Sequence, residues 1–291
     1  MASLPGDSIR IAREYLDSLL VESRIVGASR PSARFDFLGC TFDTPIMTAA
    51  LSHLDLSGMA EGARMANAPV SIGMGGNDEM GKVLSTGAKV IKIIKPYADH
   101  GEVFSRIRFA QEHGALAVGM DVEHAIRADS PEADNINGLQ MKLPSLDDLK
   151  SFIRSTSLPF FIKGALSVQD ARRCLELGCA GIVLSHHNGL MRCAVPPVRL
   201  LPKIRAAVGK DLLLIADGGM ESGYDAFKAL ALGADAVTVG RALMPALKEN
   251  GAQGVCDVIT AMTNQLLAMM YRTGSPDLKH IDPSVLWEKD R

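Results

Sequence analysis

Apolar residues along this chain follow two alternating rhythms. Short apolar runs recur at 45–50, 69–74, 90–95, 117–122, 160–165, 181–186, 212–217 and 236–241, and most close on polar residues or glycine. Between them, apolar positions fall at the helical i, i+3, i+4 spacing over 56–67, 78–85, 101–113, 145–155, 167–177, 197–208, 223–232 and 251–270. Several of these stretches stop at glycine, as in His113-Gly114, Leu177-Gly178 and Leu232-Gly233, the residue that most easily closes a helix. Alternating strand and helix patterns give a parallel sheet, and eight units close it into an α/β fold of the (β/α)8 (TIM) barrel type. An open doubly wound sheet is the competing architecture, but no GxGxxG follows the first strand.

Three segments lie outside this alternation. Residues 7–24 carry Ile9, Ile11, Ala12, Tyr15, Leu16, Leu19 and Leu20 at helical spacing, which predicts an N-terminal helix capped by Asp7 or Ser8. Residues 34–37 and 40–42 read as a short hairpin turning at Leu38-Gly39. Residues 126–142 are polar and aperiodic and read as a long loop over the barrel mouth, and 275–291 as a tail packed on the barrel or on a neighbouring subunit. With no interior linker or low-complexity tract, residues 1–291 read as a single domain.

Composition narrows the function classes. A chain of 291 residues with 47% hydrophobic but 5% aromatic content needs an aliphatic core. A net charge of −2 argues against nucleic acid or an anionic membrane as partner, and no apolar run approaches the ~20 residues of a membrane span. The first residues lack the charged and apolar regions of a signal peptide, so a cytoplasmic location is the default expectation. Cys40, Cys174, Cys179, Cys193 and Cys256 form an odd, scattered set, read as reduced thiols, and neither they nor the histidines show metal-ligand spacing. No metal site is expected.

Chemistry sits where barrels put it, at the carboxyl ends of strands. The ends in question are Lys163-Gly164, Ser185-His186-His187-Asn188-Gly189, Asp217-Gly218-Gly219 and Gly240-Arg241. Glycines let backbone approach an anion, and an arginine adds charge, so the last two blocks suit a phosphate. The first two supply a fixed cation and a titratable base. A small-molecule enzyme using a phosphate-bearing cofactor is the expectation. The run Ser71-Ile72-Gly73-Met74-Gly75-Gly76 would let backbone approach a ring, or form a plain turn before a helix.

These blocks, in this order and together with Ala229-Leu230-Ala231-Leu232-Gly233-Ala234, resemble the FMN-dependent α-hydroxy-acid oxidase/dehydrogenase family. The resemblance is densest over 159–243 and extends more weakly from Phe35 towards the C-terminus. It implies an FMN cofactor held by Lys163, Ser185, Asp217, Gly218, Gly219, Gly240 and Arg241, with Lys92, Ala49 and Gly73 near the flavin. It also implies that His187 is the active-site base, Asp121 the carboxylate that orients it, and Lys163 the cation that stabilises reduced flavin. His186 remains a competing assignment for the base. A homo-oligomer, a tetramer, is implied as well.

The departures fall on the substrate side. The family's arginine three residues after the active-site histidine is Leu190 here, and leucine cannot make a bidentate pair with a carboxylate. A second family arginine has Arg127 nearby, one position out of register, followed by Ala128. Lys92 and Ile94 stand where the family has glutamine and tyrosine, Gly119 where it has threonine, and Glu221 where an arginine follows Asp-Gly-Gly. Lys92 could face the flavin or an anionic substrate, or pair with Asp121 or Glu123. Arg127 and Arg192 are the candidates for a replacement carboxylate clamp, with His187 also touching substrate. The implied function is oxidation of a 2-hydroxy acid or relative outside the common short ones. Two alternatives stay open: an FMN-dependent isomerase of the type 2 isopentenyl diphosphate isomerase kind, and a non-catalytic flavin-binding barrel.

Overall fold

The computed structural model of the chain describes residues 6–187 and 189–289. All eight expected barrel strands form, each a little shorter than its apolar run: Ile46–Thr48, Val70–Ile72, Val90–Ile94, Ala117–Asp121, Phe160–Lys163, Gly181–Leu184, Leu213–Ala216 and Ala236–Val239. Every neighbouring pair in the sheet is parallel and follows chain order, the eighth strand returning to pair with the first. The seam between the first and second strands is sewn differently. Thr48 Oγ1 both accepts from Ser71 N and donates to Ser71 O, each at 2.9 Å, and a parallel bridge joins Leu51 to Ile72. Gly73 N also donates to Leu51 O at 2.9 Å, so side-chain and backbone bonds together close the barrel there.

Two apolar layers follow from the alternation of side chains on each strand. Val70, Val90, Val118, Ile162, Leu214 and Val237 face the surrounding helices, while Met47, Ile91, Ile93, Phe161, Val183 and Ile215 fill the barrel. Phe161 is accommodated because its register partners on both flanking strands are Gly119 and Gly181. A Cβ on Gly181 would lie 2.5 Å from the Phe161 ring, so size, more than turn-making, fixes glycine there. The hairpin forms as expected from Phe35–Phe37 and Cys40–Phe42, turning at Leu38 and Gly39, both at positive φ. Its phenylalanines join the barrel-filling cluster, with the Phe37 ring 6.3 Å from that of Phe161. They plug the amino-terminal end of the barrel and leave the carboxyl-terminal end for chemistry.

Several sequence expectations need correction. The first helix spans Ser8–Ser18, capped by Asp7, whose carboxylate accepts from the Ile9 and Arg10 amides. The chain then turns extended, and Leu19–Val21 pairs antiparallel with Leu286–Glu288. An apolar pair at helical spacing, Leu19-Leu20, is thus claimed by a strand partner far away in sequence. The last helix begins earlier than expected, at Leu243, and breaks at Asn250-Gly251, where Gly251 takes a φ of 54°. Residues 126–142 are ordered by antiparallel pairing. Asn135–Ile136 pairs with Leu139–Gln140, Ile126 bridges Ala133, and Tyr97 bridges Met141. The segment is a flap stitched to the mouth. Among the described residues, no helix is long and apolar enough to cross a membrane.

Candidate active site

A cavity of about 750 Å³, open to solvent, lies at the carboxyl-terminal end of the barrel. Its walls come from the ends of the first, fifth, sixth, seventh and eighth strands: Ala49, Ala50 and Leu51, then Lys163, His187, Asp217 to Met220, Thr238, Gly240, Arg241 and Met244. Of the residues singled out from sequence, Lys163, His187, Asp217, Gly218, Gly219, Gly240, Arg241 and Ala49 therefore meet in one place. Ser185 stands behind them, donating to Asp217 Oδ2 at 2.7 Å and accepting from Lys163 Nζ at 3.1 Å. Thr238, unremarked in the sequence, donates to the other Asp217 oxygen at 2.7 Å. Asp217 is thereby clamped between two hydroxyls.

One arm of the cavity is built for close approach. Gly218 and Gly219 have φ of 99° and 79°, a region closed to most side chains. A Cβ on Gly240 would sit 3.3 Å from Ala49 Cβ and 3.4 Å from Leu51. Arg241 reaches the same arm with its side chain about half exposed, and its nearest acid, Glu221, is 3.9 Å away. Glycine backbone beside a loosely engaged guanidinium suits a phosphate dianion.

The other arm is a buried charge cluster. Asp121, 2% exposed at the end of the fourth strand, has Oδ2 at 2.9 Å from Lys95 Nζ, 2.9 Å from His187 Nδ1 and 3.6 Å from Lys163 Nζ. Burial pushes its pKa up, but Lys163, the His187 hydrogen bond and Lys95 together hold it well below the usual carboxylate range. His187 goes the other way: burial, reinforced by Lys163 and Lys95 and only partly opposed by Asp121, brings it down to about 4. It is held neutral at pH 7, the form that accepts a proton. Its backbone takes a φ of 43°, steered by its own amide donating to Ser185 Oγ at 3.0 Å. The sixth strand ends at Leu184, so strand alternation does not separate His186 from His187; the left-handed turn does. The His186 ring turns away, 2% exposed, accepting from Gly189 N at 3.1 Å, and a Cβ on Gly218 would meet it at 3.5 Å. Asn188, the residue between, lies outside the described residues.

Four expected residues lie elsewhere. Lys92 is 1% exposed and does not reach the cavity or the acids Asp121 and Glu123; its ammonium caps the carbonyls of Gly73 and Gly75. Burial lowers its pKa to about 8, and it works as a brace for the loop after the second strand. Gly73 is small because a Cβ would meet the carbonyl of Ala50 at 2.6 Å, the close approach of the first two strands. Arg127 is exposed on the flap, 3.3 Å from Asp129, and Arg192 is exposed after the sixth strand; neither lines the cavity.

The sequence reading missed Lys95, Glu123 and His124. Lys95 follows the third strand and makes the ion pair with Asp121 that was one of the readings open for Lys92. Glu123 is pushed up to about 8, burial outweighing Lys163, with Asp121 and Asp217 adding to it, so it is protonated at neutral pH. His124 lies on the short helical turn Val122–Ala125, and its Nε2 is 2.6 Å from His187 Nε2. The signal was available: a strand-end Asp followed three residues later by a His returns both to one side of a tight turn. Ligand atoms of Asp121, His124 and His187 lie within 4.8 Å of one another, a spacing not foreseen from sequence. The positive charge a cation would bring there is already supplied by Lys95 and Lys163.

Comparison with known proteins agrees with this geometry. Residues 125–288 match the FMN-dependent dehydrogenase family. The chain is 42% identical over 156 residues to an L-lactate oxidase of Alicycliphilus denitrificans, covering 53% of this chain and 43% of that protein. It is 28% identical over 302 residues to an L-lactate oxidase of Lactobacillus jensenii, covering 90% and 74%. An (S)-mandelate dehydrogenase of Pseudomonas putida is 39% identical over 126 residues, 43% of this chain and 32% of that one. Its matches to three of the most similar relatives span 43%, 41% and 39% of their lengths. A solved mandelate oxidase carrying a monooxide FMN adduct superposes with a TM-score of 0.86 at 26% identity, covering 99% of this chain and 93% of that one.

Proposed function

The chain belongs to the FMN-dependent dehydrogenase family, and from that premise we propose that it is a single-domain FMN-dependent oxidoreductase acting on the CH–OH group of a 2-hydroxy acid or close analogue. The observation that carries this reading is the two-armed cavity: an anion-accepting arm at Gly218, Gly219, Gly240 and Arg241, and a cation–base arm at Lys163, His187 and Asp121. The residues present fit FMN. A phosphate would be met by glycine amides and Arg241, and a flavin ring by Ala49 and by Lys163, whose fixed ammonium favours an anionic ring. FMN bound there supplies the acceptor for the electron pair leaving the substrate.

The protein's own part is to hold the substrate carbinol against His187 and to receive its proton there. Asp121 orients the imidazole and stabilises the imidazolium that results. Lys95 keeps Asp121 ionised while it does so. The substrate end differs from the family pattern, since Leu190 cannot clamp a carboxylate and Arg127 and Arg192 stand away from the cavity. The substrate class is therefore a larger or less acidic 2-hydroxy compound, held by shape more than by charge. The isomerase alternative has no comparable support, the relatives being named oxidases and dehydrogenases. We further propose a cytoplasmic homotetramer, whose assembly light scattering tests.

The deciding experiment is a visible spectrum of the purified protein, followed by titration with FMN and anaerobic mixing with a panel of 2-hydroxy acids and their amides. Flavin bands that bleach with a member of the panel support the reading. A colourless protein that takes up no FMN overturns it.

A further inference from the structure

His124, in contact with the cavity residue His187, is employed by neither the family pattern nor the proposed chemistry. It is joined to His187 in a line of four groups. Asp134 Oδ2 lies 3.2 Å from His124 Nδ1, His124 Nε2 lies 2.6 Å from His187 Nε2, and His187 Nδ1 lies 2.9 Å from Asp121 Oδ2. The line crosses three elements: the flap carrying Asp134, the turn carrying His124, and the barrel ends carrying His187 and Asp121. The flap end is fixed, Asp134 N donating to Ala125 O at 3.1 Å and Asp134 O accepting from Met141 N at 2.8 Å.

Three links join the four groups, and each requires one hydrogen. Two neutral imidazoles bring two hydrogens, so one link is short while both rings are neutral. Lys163 Nζ, 3.0 Å from His187 Nδ1, can donate there and cover the deficit at rest. One further proton satisfies all three links at once and places a single positive charge between two carboxylates. Nitrogens facing each other at 2.6 Å require a hydrogen between them, because bare lone pairs would repel. Burial lowers both histidines, helped by Lys95 at both and by Lys163 at His187, which keeps the resting pair neutral and ready to accept.

We propose that His124 is a positioning residue that works through His187, the two rings and their flanking Asp134 and Asp121 taking up one proton as a unit. The inference rests on the proposed function for its role in turnover. There, a carbinol proton taken by His187 Nε2 would require His124 Nε2 to give up that position, so the two rings would pass the proton between them, and FMN, when bound, would accept the electron pair. The groups facing the pair are Asp121, Lys163 and Lys95 from the barrel, Asp134 from the flap, and Glu123 on the same turn as His124.

The test is ring-nitrogen NMR of histidine-labelled protein across pH, which needs neither substrate nor flavin reduction. The expected result is one shared protonation step followed by the signals of both His124 and His187, as for two sites coupled by more than about one pH unit. His124→Gln, which can hydrogen-bond but cannot hold the proton, should lower the His187 pKa by at least about one pH unit. Asp134→Asn keeps both rings and should lower the shared step as well, so it decides the matter if His124→Gln fails to fold. Independent titration of the two rings, with His187 unmoved in either variant, overturns the proposal. Shared titration in a protein that takes up no FMN would keep the pair and remove the oxidoreductase reading; independent titration in a protein that binds FMN would do the reverse.

Discussion

Lys163 Nζ and Asp121 Oδ2 stand 3.6 Å apart on adjacent barrel strands, with Lys95 Nζ and His187 Nδ1 each 2.9 Å from the same oxygen. One carboxylate thus serves two ammonium groups and one imidazole, and its ionisation governs all three. Replacing Asp121 by Asn should destabilise the protein by about 3–5 kcal/mol at pH 7, because a buried lysine loses its counter-charge. The Asp121 pKa is depressed on folding, so its contribution is present above the unfolded value of about 3.9 and is lost as pH falls through the folded one. Urea unfolding of both proteins should show the gap at pH 7 and its closure in strong acid.

Glu123 gives the opposite pH dependence. Its folded pKa is raised to about 8, so the unfolded chain loses its proton first as pH rises. The stabilisation is fully present below the unfolded value of about 4.3 and is lost through pH 8, at a slope near 1.4 kcal/mol per pH unit. Glu123→Gln, an isostere of the protonated form, should flatten the decline of Tm between pH 5 and 9 and raise Tm at the alkaline end. Parallel curves for the two proteins would show that Glu123 is ionised in the fold.

The phosphate arm is tested by Arg241→Glu. Removing a charged donor costs about 1.5–3 kcal/mol, and a negative charge beside a dianion adds repulsion. FMN affinity should fall by a hundredfold or more in a fluorescence titration, with Tm of the flavin-free protein nearly unchanged because Arg241 has only a distant contact with Glu221. Unchanged affinity would move the phosphate elsewhere.

The strands and most helices were legible in the sequence because each is decided locally, by apolar period and by a glycine or cap at its end. The phosphate arm was legible for the same reason, glycine pairs and an arginine being contiguous signals. What escaped notice depended on contacts between distant segments. Leu19–Val21 extends because Leu286–Glu288 lies beside it, and residues 126–142 are ordered by pairing that polar composition does not announce. Lys92 lies in the middle of the third strand and Lys95 just past its end, and the sequence alone could not say which would reach Asp121. One-residue alternation points Lys92 at the Gly73 loop and Lys95 at the carboxylate. The Phe161 side chain explains Gly119, which had looked like a change in the substrate site.

L-Lactate and glycolate should be poor substrates. Both are small and are defined mainly by a carboxylate, so a site that oxidises them well needs a fixed cation opposite the hydroxyl-bearing carbon. Leu190 follows the active-site turn where the family places such an arginine, and it carries no charge. Arg127 is turned outward to Asp129 at 3.3 Å, and Arg192 is exposed beyond the cavity wall. Lys95 and Lys163 are already engaged by Asp121. Loss of a bidentate charged pair costs several kcal/mol of transition-state binding, roughly a thousandfold in rate. Anaerobic stopped-flow mixing of the flavin-loaded protein with each acid should therefore give slow bleaching that does not saturate, while 2-hydroxy amides or esters react no more slowly than the corresponding acids. Restoring the charge by Leu190→Arg should raise the rate with lactate and leave that with the amides unchanged. Fast, saturable reduction of the unaltered protein by lactate would show that the flap brings Arg127 inward on binding.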